Sequence, residues 1–160
     1  MNIRALGHPD LDLLLALYVH LNPGDAPLPD PQTVDEVWRQ SFANGWMRHF
    51  GGFDDDLLVS ACTICVIPNL TRGCRPYALI ENVVTAASHR RQGWGQAVLR
   101  EALSFAWSRN CYKVMLLTGR KDEGVLQFYK SAGFDVDEKK GLIARPQGPG
   151  NWHSARAVSR

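Results

Sequence analysis

The sequence predicts an α+β fold of mixed α/β character. Three observations carry that expectation. Apolar, β-branched runs of strand length occur at Leu57 to Ile67, Tyr77 to Thr85 and Tyr112 to Thr118. Stretches with apolar residues at helical spacing alternate with them, the clearest from Gln96 to Arg109, where Val98, Leu99, Ala102, Leu103, Ala106 and Trp107 share one side. No linker divides the chain, and 160 residues suit one domain with a real core.

The elements follow in order. Asn2 to Leu6 is a first strand, and His8 to His20, apolar at 11, 13, 14, 15 and 17, a first helix. Asn22 to Pro31 holds Pro23, Gly24, Pro27, Pro29 and Pro31 and must be a loop. Thr33 and Glu36 have the spacing of a capping box, so a second helix should start there and run to about Asn44. Trp46 to Phe50 and Leu57 to Ile67 flank Gly51-Gly52-Phe53-Asp54-Asp55-Asp56 as a hairpin. After the Pro68 to Pro76 loop come the Tyr77 to Thr85 strand and the Gln96 helix. Tyr112 to Thr118 reads as a buried strand, and Glu123 to Ala132 as a short helix stopped by Gly133. Phe134 to Val136 and Leu142 to Arg145 are expected to pair. One domain thus spans 1–146, and 147–160, rich in Gly, Pro and Ser, is expected to be a disordered tail.

Composition excludes several function classes. At 45% hydrophobic and 21% charged, the chain is globular in type rather than disordered. A net charge of +2 without a basic run interleaved with aromatics argues against nucleic acid as partner. The start has no signal-peptide layout, and Leu11 to Leu21 is too short and interrupted to span a membrane, so a cytoplasmic protein without membrane contact is expected. Cys62 and Cys65 form a C-x-x-C, but inside a strand residues three apart point to opposite faces. They read as core cysteines, and no metal is expected.

The most informative stretch is Arg90-Arg91-Gln92-Gly93-Trp94-Gly95, set between a strand and an amphipathic helix. Glycines let backbone approach a ligand, and the first helical turn offers unpaired N–H groups and a positive dipole end. The two arginines add donors for phosphate oxygens. The pattern is neither a P-loop nor a full dinucleotide fingerprint, and such a loop can also be a plain solvated connection. It does match R/Q-x-x-G-x-G/A. A second block, Phe128-Tyr129-Lys130-Ser131-Ala132-Gly133-Phe134, matches FY-x-x-x-GF. On these two motifs the chain resembles the GNAT superfamily of acyl-CoA-dependent N-acetyltransferases. Asn110 to Leu117, Gln127 to Phe134 and Ile80 to Val84 are similar, within that superfamily, to glucosamine-6-phosphate N-acetyltransferases.

The resemblance implies a central mixed, mostly antiparallel twisted sheet with splayed central strands and about four flanking helices. It implies acetyl-CoA as co-substrate, its pyrophosphate held by Arg90, Arg91 and the amides of Gln92, Gly93, Trp94, Gly95 and Gln96. Main-chain groups of Val83, Val84 and Thr85 would hold the pantetheine arm, with an N–H near Val83 polarising the carbonyl. Tyr129, whose phenol pKa lies above that of a thiol, would be the general acid toward the CoA thiolate. Without the resemblance, Tyr129 is an amphipathic core residue. Glu81, a carboxylate in an apolar strand, is the candidate base or amine anchor, or else pairs with a neighbouring cation. By alternation it should face the side of Leu79 and Val83, barring a bulge, with Asn82 opposite. The activity implied is acetylation of a small-molecule primary amine, with an amino sugar phosphate as the suggested acceptor and a homodimer as the assembly. A protein or peptide acetyltransferase and a non-catalytic acyl-CoA-binding regulatory domain are the alternatives.

Overall fold

The computed structural model describes residues 1–120 and 122–146, and the expected tail from 147 onward lies outside the described residues. Five strands form one sheet in the order β1 (Asn2–Ala5), β2 (Met47–Asp54), β3 (Leu57–Ile67), β4 (Tyr77–Thr85) and β5 (Val114–Leu116). The first three pairings are antiparallel and β4–β5 is parallel. The parallel pair requires a crossover, and α3 (Trp94–Ser108) supplies it. The predicted mixed, mostly antiparallel sheet is therefore the one observed.

Helices α1 (Leu11–Tyr18), preceded by a 3₁₀ turn at His8–Asp10, and α2 (Pro31–Gln40) come before β2, and α4 (Glu123–Ser131) follows β5. The apolar stripe of α3 buries Val98, Leu99, Ala102 and Ala106 against Phe50, Cys62, Ile64, Val66, Ala78 and Ile80 of the sheet. On the opposite face, Leu14, Leu17 and Trp38 pack on Phe53, Leu58, Ala61 and Val84. Two layers of helix thus enclose the sheet.

Several sequence expectations need correction. Helix α2 starts at Pro31 because Asp30 is the cap, its Oδ1 accepting the Thr33 amide at 3.0 Å, and Pro31 fits the first helical position. Gly51 and Gly52 are buried strand residues, not a turn. A Cβ on Gly51 would lie 2.6 Å from Leu58 and Leu6 side-chain atoms, and one on Gly52 would lie 3.1 Å from the Trp94 ring. The turn sits instead at Asp55-Asp56, with Asp55 at φ +50. Phe134 to Val136 and Leu142 to Arg145 form no strand among the described residues. The Asp135 carboxylate accepts the amides of Asp137 and Glu138 at 2.8 and 3.1 Å, bending the chain away from an extended path. The α4 stop is as expected, with Gly133 left-handed at φ +96.

Candidate active site

The Arg90–Gly95 loop joins a 3₁₀ turn at Ala87–His89 to the first turn of α3. Arg91 at φ +60 and Gly93 at φ +88 place two left-handed residues in four, which swings the chain onto the helix start. Gly93 caps α3 with no side chain, so the amides of that first turn stay available to a ligand. Gly95 lets α3 approach α4 and β4, since a Cβ there would lie 3.1 Å from the Phe128 ring and 3.2 Å from the Thr85 hydroxyl. The result is a cleft of about 450 Å³ that brings together Thr85, Arg90, Arg91, Gly93, Gly95 and Gln96.

Hydrogen bonds among the neighbouring side chains brace the cleft and its surroundings. Gln92 is turned back to donate to the Ser88 carbonyl at 3.0 Å. Arg90 Nε donates to the Thr85 carbonyl at 3.2 Å, fixing the loop to the end of β4. His89 lies 3.3 Å from Asp54 and 2.9 Å from Ser88, a bracing position. The Val84 carbonyl already accepts from Ser60 Oγ at 3.0 Å. Val83 and Val84 themselves pack on the two opposite cores.

That separation of Val83 from Val84 has a second consequence. Thr63 pairs with Glu81 and Ala61 with Val84, so Cys62 alone faces both Asn82 and Val83. This is a β-bulge, with Asn82 left-handed at φ +54. It shifts the alternation by one residue. Glu81 therefore does not share the side of Val83; it lies with Leu79 on the α1–α2 side, and Asn82 lines the same cavity rather than the opposite face. On the other flank of β4, pairing with β5 covers only Ala78, Leu79 and Ile80. From Glu81 to Thr85 that edge is free of β5, which is the predicted splay.

Tyr129, on α4, is half-buried against the α3 core and packs edge-on to Phe128 and Phe134. Burial pushes its phenol above the ordinary 10; Arg120 pulls it back, while Cys62 and Glu81 add to the rise. The hydroxyl is thus protonated at neutral pH and able to donate. Cys62 is sealed in the core with its thiol pushed up to about 12 by burial, whereas Cys65, on the opposite face, lines the α1–α2 cavity. One of the C-x-x-C pair is a core residue and the other a wall.

That cavity, of about 540 Å³, lies between α1, α2 and the β3–β4 face. Its polar members form a chain that sequence reading missed. Ser41 Oγ donates to the Trp38 carbonyl at 2.7 Å, so it accepts from His49 Nε2 at 2.9 Å. His49 Nδ1 then accepts from Thr63 Oγ1 at 2.9 Å, and Thr63 Oγ1 lies 3.5 Å from the Tyr18 hydroxyl. Burial drops the His49 pKa from 6.5 to about 4, and burial raises that of Tyr18. The partners lie 8 and 14 residues from His49, too scattered to read. The signal that was present is Val34, Val37, Trp38 and Ser41, one helical face of α2.

Comparison with known proteins agrees with this geometry. Residues 14–134 match the family model described as the acetyltransferase (GNAT) family. The chain is 29% identical over 140 residues to a glucosamine 6-phosphate N-acetyltransferase of Trypanosoma brucei brucei, covering 88% of this chain and 92% of the relative. A putative acetyltransferase from Agrobacterium tumefaciens superposes with a TM-score of 0.84 at 43% identity, over 91% of this chain and all of that one, 100%. A Trypanosoma brucei acetyltransferase does so at 0.75 and 26% identity, covering 90% of this chain and 99% of its own. The chain belongs to the GNAT family of acetyltransferases and is an acetyl-CoA-dependent acyltransferase.

Proposed function

We propose that the chain acetylates the primary amine of a small molecule by direct attack on acetyl-CoA. One observation carries this reading: strand β4 ends between a cationic cleft on the α3 side and a cavity on the α1–α2 side that contains Glu81. Arg90, Arg91 and the α3 amides suit a pyrophosphate, and the free β4 edge from Val83 to Thr85 suits the pantetheine arm. A backbone N–H near Val83 would polarise the thioester carbonyl, a contribution of about 2–4 kcal/mol for a donor of this type. Glu81 anchors the amine or takes its proton. Tyr129 gives its phenolic proton to the departing thiolate, and burial keeps that proton in place.

The trypanosomal relative suggests an amino sugar phosphate as one acceptor to test. A homodimer is part of the same reading, and four free cysteines accord with a reducing, cytoplasmic setting. Calorimetric titration with acetyl-CoA and with its dephospho analogue tests the cofactor assignment. Micromolar binding that weakens when phosphate is removed is expected; an absence of binding would remove the loop from the mechanism.

A further inference from the structure

The α1–α2 cavity carries more information about the acceptor. Leu14, Leu15, Val34, Val37, Trp38 and Leu79 wall it, and Glu81 is the only Asp, Glu, Lys or Arg on its surface among the described residues. A phosphate placed there would lose water against aliphatic side chains and beside a carboxylate, with no Lys or Arg among the described lining residues to compensate. The hydroxyls of a sugar fare little better. Ser41, His49 and Thr63 are committed to one another in a single chain, with the Tyr18 hydroxyl 3.5 Å beyond it, so the Asn82 amide is the main neutral polar side chain left facing the space. An ammonium on an apolar body fits on both counts, because its charge meets Glu81 and its carbon meets the leucine and valine wall.

We propose that the acceptor is an apolar primary amine, with its nitrogen on Glu81 and its body in the α1–α2 cavity. The inference rests on the acetyltransferase reading above. From the bound ammonium two protons leave nitrogen, the first to Glu81 and on to water before attack and the second on amide formation. The C–N bond forms as the thioester C–S bond breaks, and one proton reaches sulfur from Tyr129.

The test is thiol release from acetyl-CoA with 2-phenylethylamine, a series of linear alkylamines, glucosamine and glucosamine 6-phosphate. 2-Phenylethylamine should exceed glucosamine 6-phosphate in kcat/KM by about 100-fold or more, the cost of an uncompensated buried charge. Each added methylene should raise kcat/KM about fourfold, equivalent to about 0.8 kcal/mol, until the cavity is full. Val37 is 62% exposed at the cavity wall, so Val37→Arg leaves the core untouched. It should lower kcat/KM for the apolar amines about tenfold by repelling the ammonium, with acetyl-CoA affinity unchanged. A preference for the phosphosugar, a flat methylene series, or indifference to Val37→Arg would overturn the assignment while acetyl-CoA still binds. Loss of acetyl-CoA binding together with silence toward every amine would overturn the acetyltransferase reading as well, and calorimetry tells the two failures apart.

Discussion

Acidification should destabilise this protein well above the carboxylate range, through His49. The residue is 6% exposed, its ring tilted against those of Trp38 and Phe42 and hydrogen-bonded only to the hydroxyls of Ser41 and Thr63. Among the described residues no carboxylate pairs with it. Burial therefore favours the neutral form, and the pKa falls from 6.5 to about 4. The unfolded chain binds this proton more readily than the folded one, so stability is complete above the unfolded value and drains away as pH falls toward the folded value. Between about pH 7.5 and about pH 5 the loss is about 2 kcal/mol, rising to about 3 kcal/mol by about pH 4. Asp10, held below its ordinary 3.8 first of all by the Arg4 hydrogen bond, weakens the fold only below that window. Urea unfolding at a series of pH values measures the slope. The same series on His49→Asn, which keeps hydrogen-bonding groups but cannot titrate, isolates it. A flat profile in the parent, or an equal slope in the variant, would refute the reasoning.

Two further perturbations address the site. Tyr129→Phe keeps the ring packed on Phe128 and Phe134, so acetyl-CoA affinity should change little while turnover falls about 100-fold; steady-state kinetics beside calorimetry checks this, and full activity would free the tyrosine of any role. Gly93→Val places a β-branched residue at φ +88 where the nearest side-chain atom, on Met1, is 3.6 Å away, so the cost is backbone strain rather than a clash. That strain, about 1–2 kcal/mol, should appear as weaker acetyl-CoA binding in the titration, with the α3 core intact by circular dichroism.

The parts legible in the sequence are those with local causes. The α3 stripe, the loop before it and the Gly133 stop each depend on residues within a turn or two of one another. The parts that were not legible depend on distant partners. Gly51 and Gly52 look like a turn until Leu6, Leu58 and Trp94 are seen filling the space where their side chains would be. The Asp30 cap outcompetes the Thr33 spacing because Pro31 presets the first helical φ. Nothing in the run Tyr77 to Thr85 announces a bulge except an asparagine, a residue that tolerates φ above zero, and that one residue reverses where Asn82 and Val83 point relative to Glu81. Nothing local marks His49 either, because its hydroxyl partners come from the end of α2 and from β3.

The bulge at Asn82 also divides labour along a single strand. Before it, β4 presents Leu79 and Glu81 to the amino-terminal helices; after it, Val83 turns to the α3 layer and Thr85 borders the cationic cleft. The cavity is built chiefly from residues before 50 and the cleft entirely from residues after 84. On the proposed reading, the walls that shape acceptor choice are carried mainly on the amino-terminal stretch, while Glu81 and the donor cleft are carried on the carboxy-terminal one. An amino-terminal segment grafted from a relative onto this carboxy-terminal half would exchange one preference while preserving the other, provided the graft keeps the contacts that α1 and α2 make with β3 and β4.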